Sequence, residues 1–142
     1  MKKNARPIPD SLHTRMKDNN LKMTSARKSM LELLLYEHGP FSCEEVFERL
    51  QKKRELCDLV TVYRSLAKLE EVGIIERCDF GDGKTRYEIQ HEDHHHHHII
   101  CKVCKRIETI QACKIPDTIP TKLGFKEISH KLEFFGICPS CC

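Results

Sequence analysis

From Pro9 to Val72 the apolar residues recur every three or four positions, and beyond Gly73 they tend to alternate, which divides the chain into a helical stretch and a strand-rich one. Leu12 and Met16, one turn apart, predict a short helix over about 9–19. In "MTSARKSMLELLLYEHG" Thr24 or Ser25 can cap, Ala26, Met30 and Leu33/Leu34 follow at helical spacing, and Gly39 offers a stop. In "SCEE" Ser42 and Glu45 make a capping box ahead of Val46, Phe47 and Leu50. A fourth helix, "CDLVTVYRSLAKLEEVG", can open at Asp58 and close at Gly73. Its Leu59, Val62, Leu66 and Leu69 share one stripe, with Thr61, Arg64 and Lys68 opposite and Val60 and Tyr63 on the flanks. One face packs and the other presents donors. Then "IIERCDF" and "KTRYEI" flank the turn signal "GDG" at 81–83, a hairpin that follows the helices as the wing of a winged helix-turn-helix does. Past a run of five histidines come short strands, a weak helical stretch around Pro116 to Leu123 and the alternating "FKEISHKLEFFGI".

With 142 residues, 39% hydrophobic and 32% charged, the chain suits one ordinary globular domain or two small ones, each marginal alone. No apolar run reaches the roughly 18 residues of a membrane span, and "MKKNARPIPD" has no apolar segment behind its basic residues, so a cytoplasmic location and no membrane partner are expected. The formal charge of +3 is small, but through Lys28 eight Lys/Arg stand against two Asp/Glu. That arm suits phosphate contact or a solvated terminus equally well. Nine cysteines, an odd number, without an export signal favour metal thiolates over a disulfide framework.

Cys101-x-x-Cys104 and Cys138-x-x-Cys141 form paired knuckles, a spacing that lets both thiols of a turn reach one tetrahedral ion. Together they predict a closed, structural zinc site stapling a region too small to hold itself together. A redox dithiol would need one pair only, in a different order of strand and helix. Cys142 adjoins Cys141 and could replace it, but Cys141 keeps the spacing. Cys43, Cys57, Cys78 and Cys113 have no partner at ligand spacing and read as small core residues. The histidines precede Cys101 where a strand is expected, so His94, His96 and His98 would point one way and His95 and His97 the other. Taken alone, such a run can equally be a loose metal-binding tract.

In order along the chain, "LKMTSAR", "TVYRSLAKLEEVGII", "FGDGKTRYEI", "HHHHHIICKVC", "GFKEISH" and "FFGICPSC" resemble the ferric uptake regulator family of metal-dependent repressors, from about Leu21 to Cys141. The resemblance implies an α+β fold: an N-terminal winged helix-turn-helix DNA-binding domain over 1–90 and a small C-terminal α/β dimerisation domain, zinc-stapled, over 91–142. It implies a homodimer on double-stranded DNA with a palindromic operator, no small-molecule substrate and no catalysis. The helix from Asp58 to Val72 becomes the recognition helix, with Tyr63 and Arg64 directed at bases and Thr61, Lys68 and the wing residue Lys84 at phosphates. The plain alternative is an amphipathic core helix, which explains the leucines and leaves the donor face unused.

Iron- and peroxide-sensing members of that family use a histidine just before the third helix and an acid five positions after the second knuckle cysteine. Here those positions hold Pro40 and Thr109, with His38 and Glu108 close by. The resemblance to the zinc-sensing subgroup is closer and implies a regulatory metal, zinc or another divalent transition metal, held by Glu76, His91, His96 and His98. Three imidazoles and one carboxylate suit tetrahedral zinc. His95, His97 and His130 resemble an accessory metal site of the family. The function expected is therefore a metal-responsive repressor, zinc-sensing and controlling metal uptake genes. The alternatives are an iron- or peroxide-responsive repressor of the same family and, from another class, a zinc buffer or metallochaperone. A zinc hydrolase would need an open coordination position and a general base, and the only acid placed beside the histidines is spent as a ligand.

Overall fold

A computed structural model describes residues 6–37, 39–90, 96–111, 122–128 and 130–142. The architecture is α+β, in two compact units, Met1–Gln90 and His91–Cys142.

The first unit opens with helix α1 (Asp10–Asp18), which buries Leu12 and Met16. Helix α2 (Ser25–Tyr36) starts where the Thr24 hydroxyl accepts from the Arg27 N–H and buries Met30, Leu31, Leu33 and Leu34. It ends three residues short of Gly39 because Glu37 is already extended, its carboxylate 2.7 Å from Arg49 and 3.0 Å from Lys53. Gly39 has a different task. A Cβ there would lie 2.8 Å from the Phe41 ring, so glycine permits the close approach.

Phe41–Ser42 then forms a two-residue strand, β1, that the sequence pattern does not signal. The capping box at Ser42 and Glu45 starts α3 (Cys43–Lys52), and the Asp58 carboxylate, accepting from the Thr61 N–H, starts α4 (Leu59–Glu71). Gly73, at φ +70°, supplies the left-handed turn that ends α4 and leads into the hairpin. Strands β2 (Ile75–Asp79) and β3 (Thr85–Ile89) pair antiparallel with Glu76 opposite Glu88 and Cys78 opposite Arg86, and β1 adds to the other edge of β3. The core of the unit is the meeting of the helical stripes: Met16, Met30, Leu31, Leu33, Val46, Leu50, Val62, Leu66, Leu69, Ile74 and Ile75 are essentially removed from solvent.

In the second unit β4 (His97–Cys101) lies between β5 (Ile107–Ile110), antiparallel, and β6 (Glu133–Gly136), parallel. Of the alternation ahead of Glu133, 125–128 and 130–132 are not strand, and the register of β6 with β4 begins at His98↔Glu133. Of the weak helical stretch, 116–121 lies outside the described residues and 122–124 is a turn.

Leu66→Ala removes a fully buried side chain from the centre of this core and should cost about 2–5 kcal/mol in denaturant unfolding. Val60→Ala, on the exposed flank of the same helix, should stay within about 0.5 kcal/mol. Equal effects would show that the buried stripe of α4 is wrongly placed.

Candidate metal centres and nucleic-acid interface

Strands β4 and β6 run in the same direction, so their C-terminal ends, Cys101 and Gly136, lie side by side. Each is followed by a tight turn. Lys105, at φ +64°, closes the first by donating to the Cys101 carbonyl, and the Cys141 N–H donates to the Cys138 carbonyl at 2.9 Å in the second. The turns bring the sulfurs of Cys101, Cys104, Cys138 and Cys141 within 4.8 Å of one another. Cys104 and Cys138 are 3.7 Å apart, beside the roughly 3.8 Å between two thiolates on one tetrahedral zinc with bonds of about 2.3 Å. The Cys138 N–H donates to the Cys101 sulfur at 3.4 Å. That bond, with another from the Cys104 backbone, draws the Cys101 thiol down to about 6, so it offers a thiolate at neutral pH. Cys141 is pushed up to about 12, foremost by sharing its hydrogen with Cys138 and Cys104. The donor set fits a closed zinc site, with the four thiolates as the only ligands needed. Cys142 stays out of the quartet, its sulfur 3.7 Å from the Ile137 carbonyl.

Two histidine pairs follow from the alternation of β4. His96 and His98 meet edge-on with ring centres 5.1 Å apart, and His98 is buried. His97, on the opposite face, is buried with its ring 5.2 Å from that of His130. His91 and His95 lie outside the described residues, as does His38. Thr109 sits directly across from His98, whereas Glu108, across from Ile99, is 2.6 Å from Nε of Arg106. In the hairpin of the first unit, Glu76 shares a face with Glu88 and Cys78, and the Cys78 thiol donates to Glu88 at 3.2 Å. Sequence reasoning named Glu76 and passed over Glu88. The signal was available, since a hairpin closed around "GDG" sets these two positions opposite each other. It also placed Cys78 in the core with Cys43 and Cys57. Those two do join or touch the apolar core, and Cys78 is buried without belonging to it. Cys113 is outside the described residues.

On α4, Thr61, Tyr63, Arg64 and Lys68 are exposed, as is Lys84 in the wing turn. The surface is partly pre-set. The Tyr63 hydroxyl donates to the Glu44 carboxylate on α3, which pushes the phenol up to about 12 and holds Glu44 below the usual carboxylate range. Lys68 is 3.0 Å from Glu71. Arg86, although in the wing, faces inward: it is buried and grips Asp82 through two contacts of 2.7 and 3.0 Å, drawing that carboxyl down to about 2. Arg86 therefore shapes the turn that presents Lys84.

These features define a class: a winged-helix unit carrying an exposed donor face, followed by a unit built around a four-thiolate metal site. The model of the ferric uptake regulator family matches residues 18–135, and the chain belongs to that family. The "Ferric uptake regulation protein" of Bacillus subtilis (strain 168) is 32% identical over 138 residues, 93% of each chain. That of Staphylococcus epidermidis (strain ATCC 12228) is 35% identical over 127 residues, 89% of this chain and 90% of that protein. Among solved structures, the Vibrio cholerae ferric uptake regulator aligns with a TM-score of 0.73 at 30% identity, covering 89% of this chain and 99% of that one. A zinc-bound manganese uptake regulator aligns at 0.74 with 29% identity, covering 89% and 98%. The protein is thus a metal-responsive transcriptional regulator of a family that binds DNA and dimerises, and not an enzyme. No helix among the described residues is long and apolar enough to cross a membrane.

Cys101→Ser, or stripping with a strong chelator, should release zinc and unfold the second unit, because the binding free energy of a structural zinc is folding free energy. Metal content beside circular dichroism and sedimentation checks this. A variant that loses zinc and keeps its fold and its dimer would refute the stapling role.

Proposed function

We propose that the protein is a sequence-specific repressor that senses zinc and controls metal uptake genes. Its regulatory metal would be held by Glu76, His91, His96 and His98, in addition to the zinc of the four cysteines. The observation that carries this reading is the pairing in β4 and β5. Two imidazoles, His96 and His98, converge, and the residue across from His98 is Thr109 and not a carboxylate. Glu108 does not substitute, being bonded to Arg106 on the other face. Three imidazoles and one carboxylate, the set proposed here, suit tetrahedral zinc better than the harder six-coordinate ions. His95, His97 and His130 are the accessory set, supported by the approach of His97 to His130. The names of the curated relatives favour a second reading, an iron-responsive repressor, and the metal titration below decides between them.

Metal acts here by population shift. If the DNA-competent arrangement of the dimer binds zinc more tightly than the other, zinc raises operator affinity and the operator raises zinc affinity by the same factor. A two-fold dimer then reads a palindromic operator whose half-sites are separated by whole helical turns. Arg64 forks to a guanine, Tyr63 lies against a thymine methyl, and Thr61, Lys68 and Lys84 meet phosphates. Repression in a cytoplasmic setting follows from occupying a promoter.

With purified dimer titrated by Zn(II), Mn(II) and Fe(II), operator binding should return with zinc at the lowest free concentration. Restoration by iron and not by zinc would select the iron reading. His96→Ala should stay folded, dimeric and zinc-stapled but lose the response to metal, in contrast to Cys101→Ser. On the DNA side, Arg64→Ala should cost about 1–3 kcal/mol and relax preference at one base position. Lys84→Ala should weaken all sequences alike and reduce the log–log salt slope by about one. Interchanged phenotypes would reverse the assignment of base and phosphate contacts.

A further inference from the structure

Of the aliphatic side chains of α4, Val62, Leu66 and Leu69 are buried and Leu59 is half-buried, but Val60 stays 54% exposed. A single exposed valine is ordinary on a protein surface, so its position has to say what this one does. At about 100° per residue Val60 stands between Tyr63, about 60° to one side, and Arg64, about 40° to the other. Both follow it by one turn and both are exposed. Helical side chains lean toward the N-terminus, so Tyr63 and Arg64 cover the ground on either side of Val60. Val60 is also the second residue of the helix, in the turn that Asp58 fixes by accepting from the Thr61 N–H at 2.7 Å. The N-terminal residues of a recognition helix are those that reach base edges.

Local folding gives no reason for valine at this place. A β-branched residue is a poorer helix former than alanine, and Val60 is neither in the apolar core nor packed against it. Against a duplex its chemistry is selective. Valine has no donor or acceptor, so opposite most base edges it would leave a polar group unpaired. The thymine C5-methyl is the apolar group that the major groove presents. A helical valine also keeps nearly one χ1 rotamer, so it loses little freedom on contact. We propose that Val60 is a specificity-determining residue that packs on a thymine methyl of the operator, at a second thymine beside the one that Tyr63 meets. This rests on the recognition-helix reading above and deepens it.

The probe is the duplex that the full-length wild-type dimer selects from a randomised library, with whichever of Zn(II), Mn(II) and Fe(II) supports binding. Each thymine of one half-site is replaced in turn by deoxyuridine, which removes the C5-methyl and keeps the hydrogen-bonding groups of the base edge. At the Val60 thymine the wild type should lose about fourfold in affinity, the worth of burying one methyl group. Val60→Ala should be weaker on the unmodified duplex by a similar factor and almost indifferent to that one uridine. It should keep its sensitivity at the thymine under Tyr63, and Lys84→Ala should keep both sensitivities. Circular dichroism checks that Val60→Ala is folded, as expected for a change that leaves the buried stripe of α4 intact. A scan with no uridine whose effect disappears in Val60→Ala, or a loss spread evenly over all duplexes, would overturn the proposal while sequence-specific binding stands. A dimer that selects no sequence at all would overturn the recognition-helix reading, and this assignment with it.

Discussion

The second unit depends on the convergence of four thiols at the ends of two parallel strands. Among the described residues its three strands are four or five residues long, and Ile99, Val103, Phe134, Phe135 and Ile137 stay substantially exposed. Strands this short, with so much apolar surface left open, gain from a metal staple that offsets part of the entropy of ordering the chain. Parallel pairing of β4 with β6 makes the staple possible, because only parallel neighbours bring two C-terminal ends together, and each end carries a knuckle. The same β4 carries His97 and His98, with His96 just ahead of it, so whatever fixes Cys101 also fixes the register and facing of the imidazoles three to five residues upstream. The exposed apolar side chains suit a family whose members dimerise.

The first unit needs no such device. Side-chain caps start α2, α3 and α4, and the stripes of α1 to α4 close over one core. The polar residues outside that core divide by task. Asp82 and Arg86 spend their charges on each other to shape the wing turn, and Glu44 orients the Tyr63 ring on the exposed face of α4. Arg64 and Lys84 are left to face solvent. A surface arranged in this way loses less side-chain freedom when it meets a rigid duplex than a set of independent long side chains would.

Legibility differed between the two units for a physical reason. Helix starts were readable because caps are local: Thr24, Ser42 with Glu45, and Asp58 act within one turn of chain. The knuckle spacing was readable because a two-residue turn dictates where the next sulfur can reach. Strand β1 was not, since Phe41 and Ser42 are strand only through their bonds to Arg86 and Tyr87, more than forty positions away. The described residues of the alternation before Glu133 are not strand, and the register of β6 with β4 begins only at His98↔Glu133.

From residue order alone came the winged helix, the zinc staple and the opposed facings of adjacent histidines, all consequences of periods and spacings shorter than about one turn or one knuckle. Tertiary structure decided that Cys141 and not Cys142 completes the quartet, and that Arg86 is a scaffold rather than a contact. It also set Thr109 rather than Glu108 beside His98, and Cys78 against a carboxylate outside the core. Each of these depends on which strand lies next to which, a non-local pairing that no run of neighbouring residues specifies.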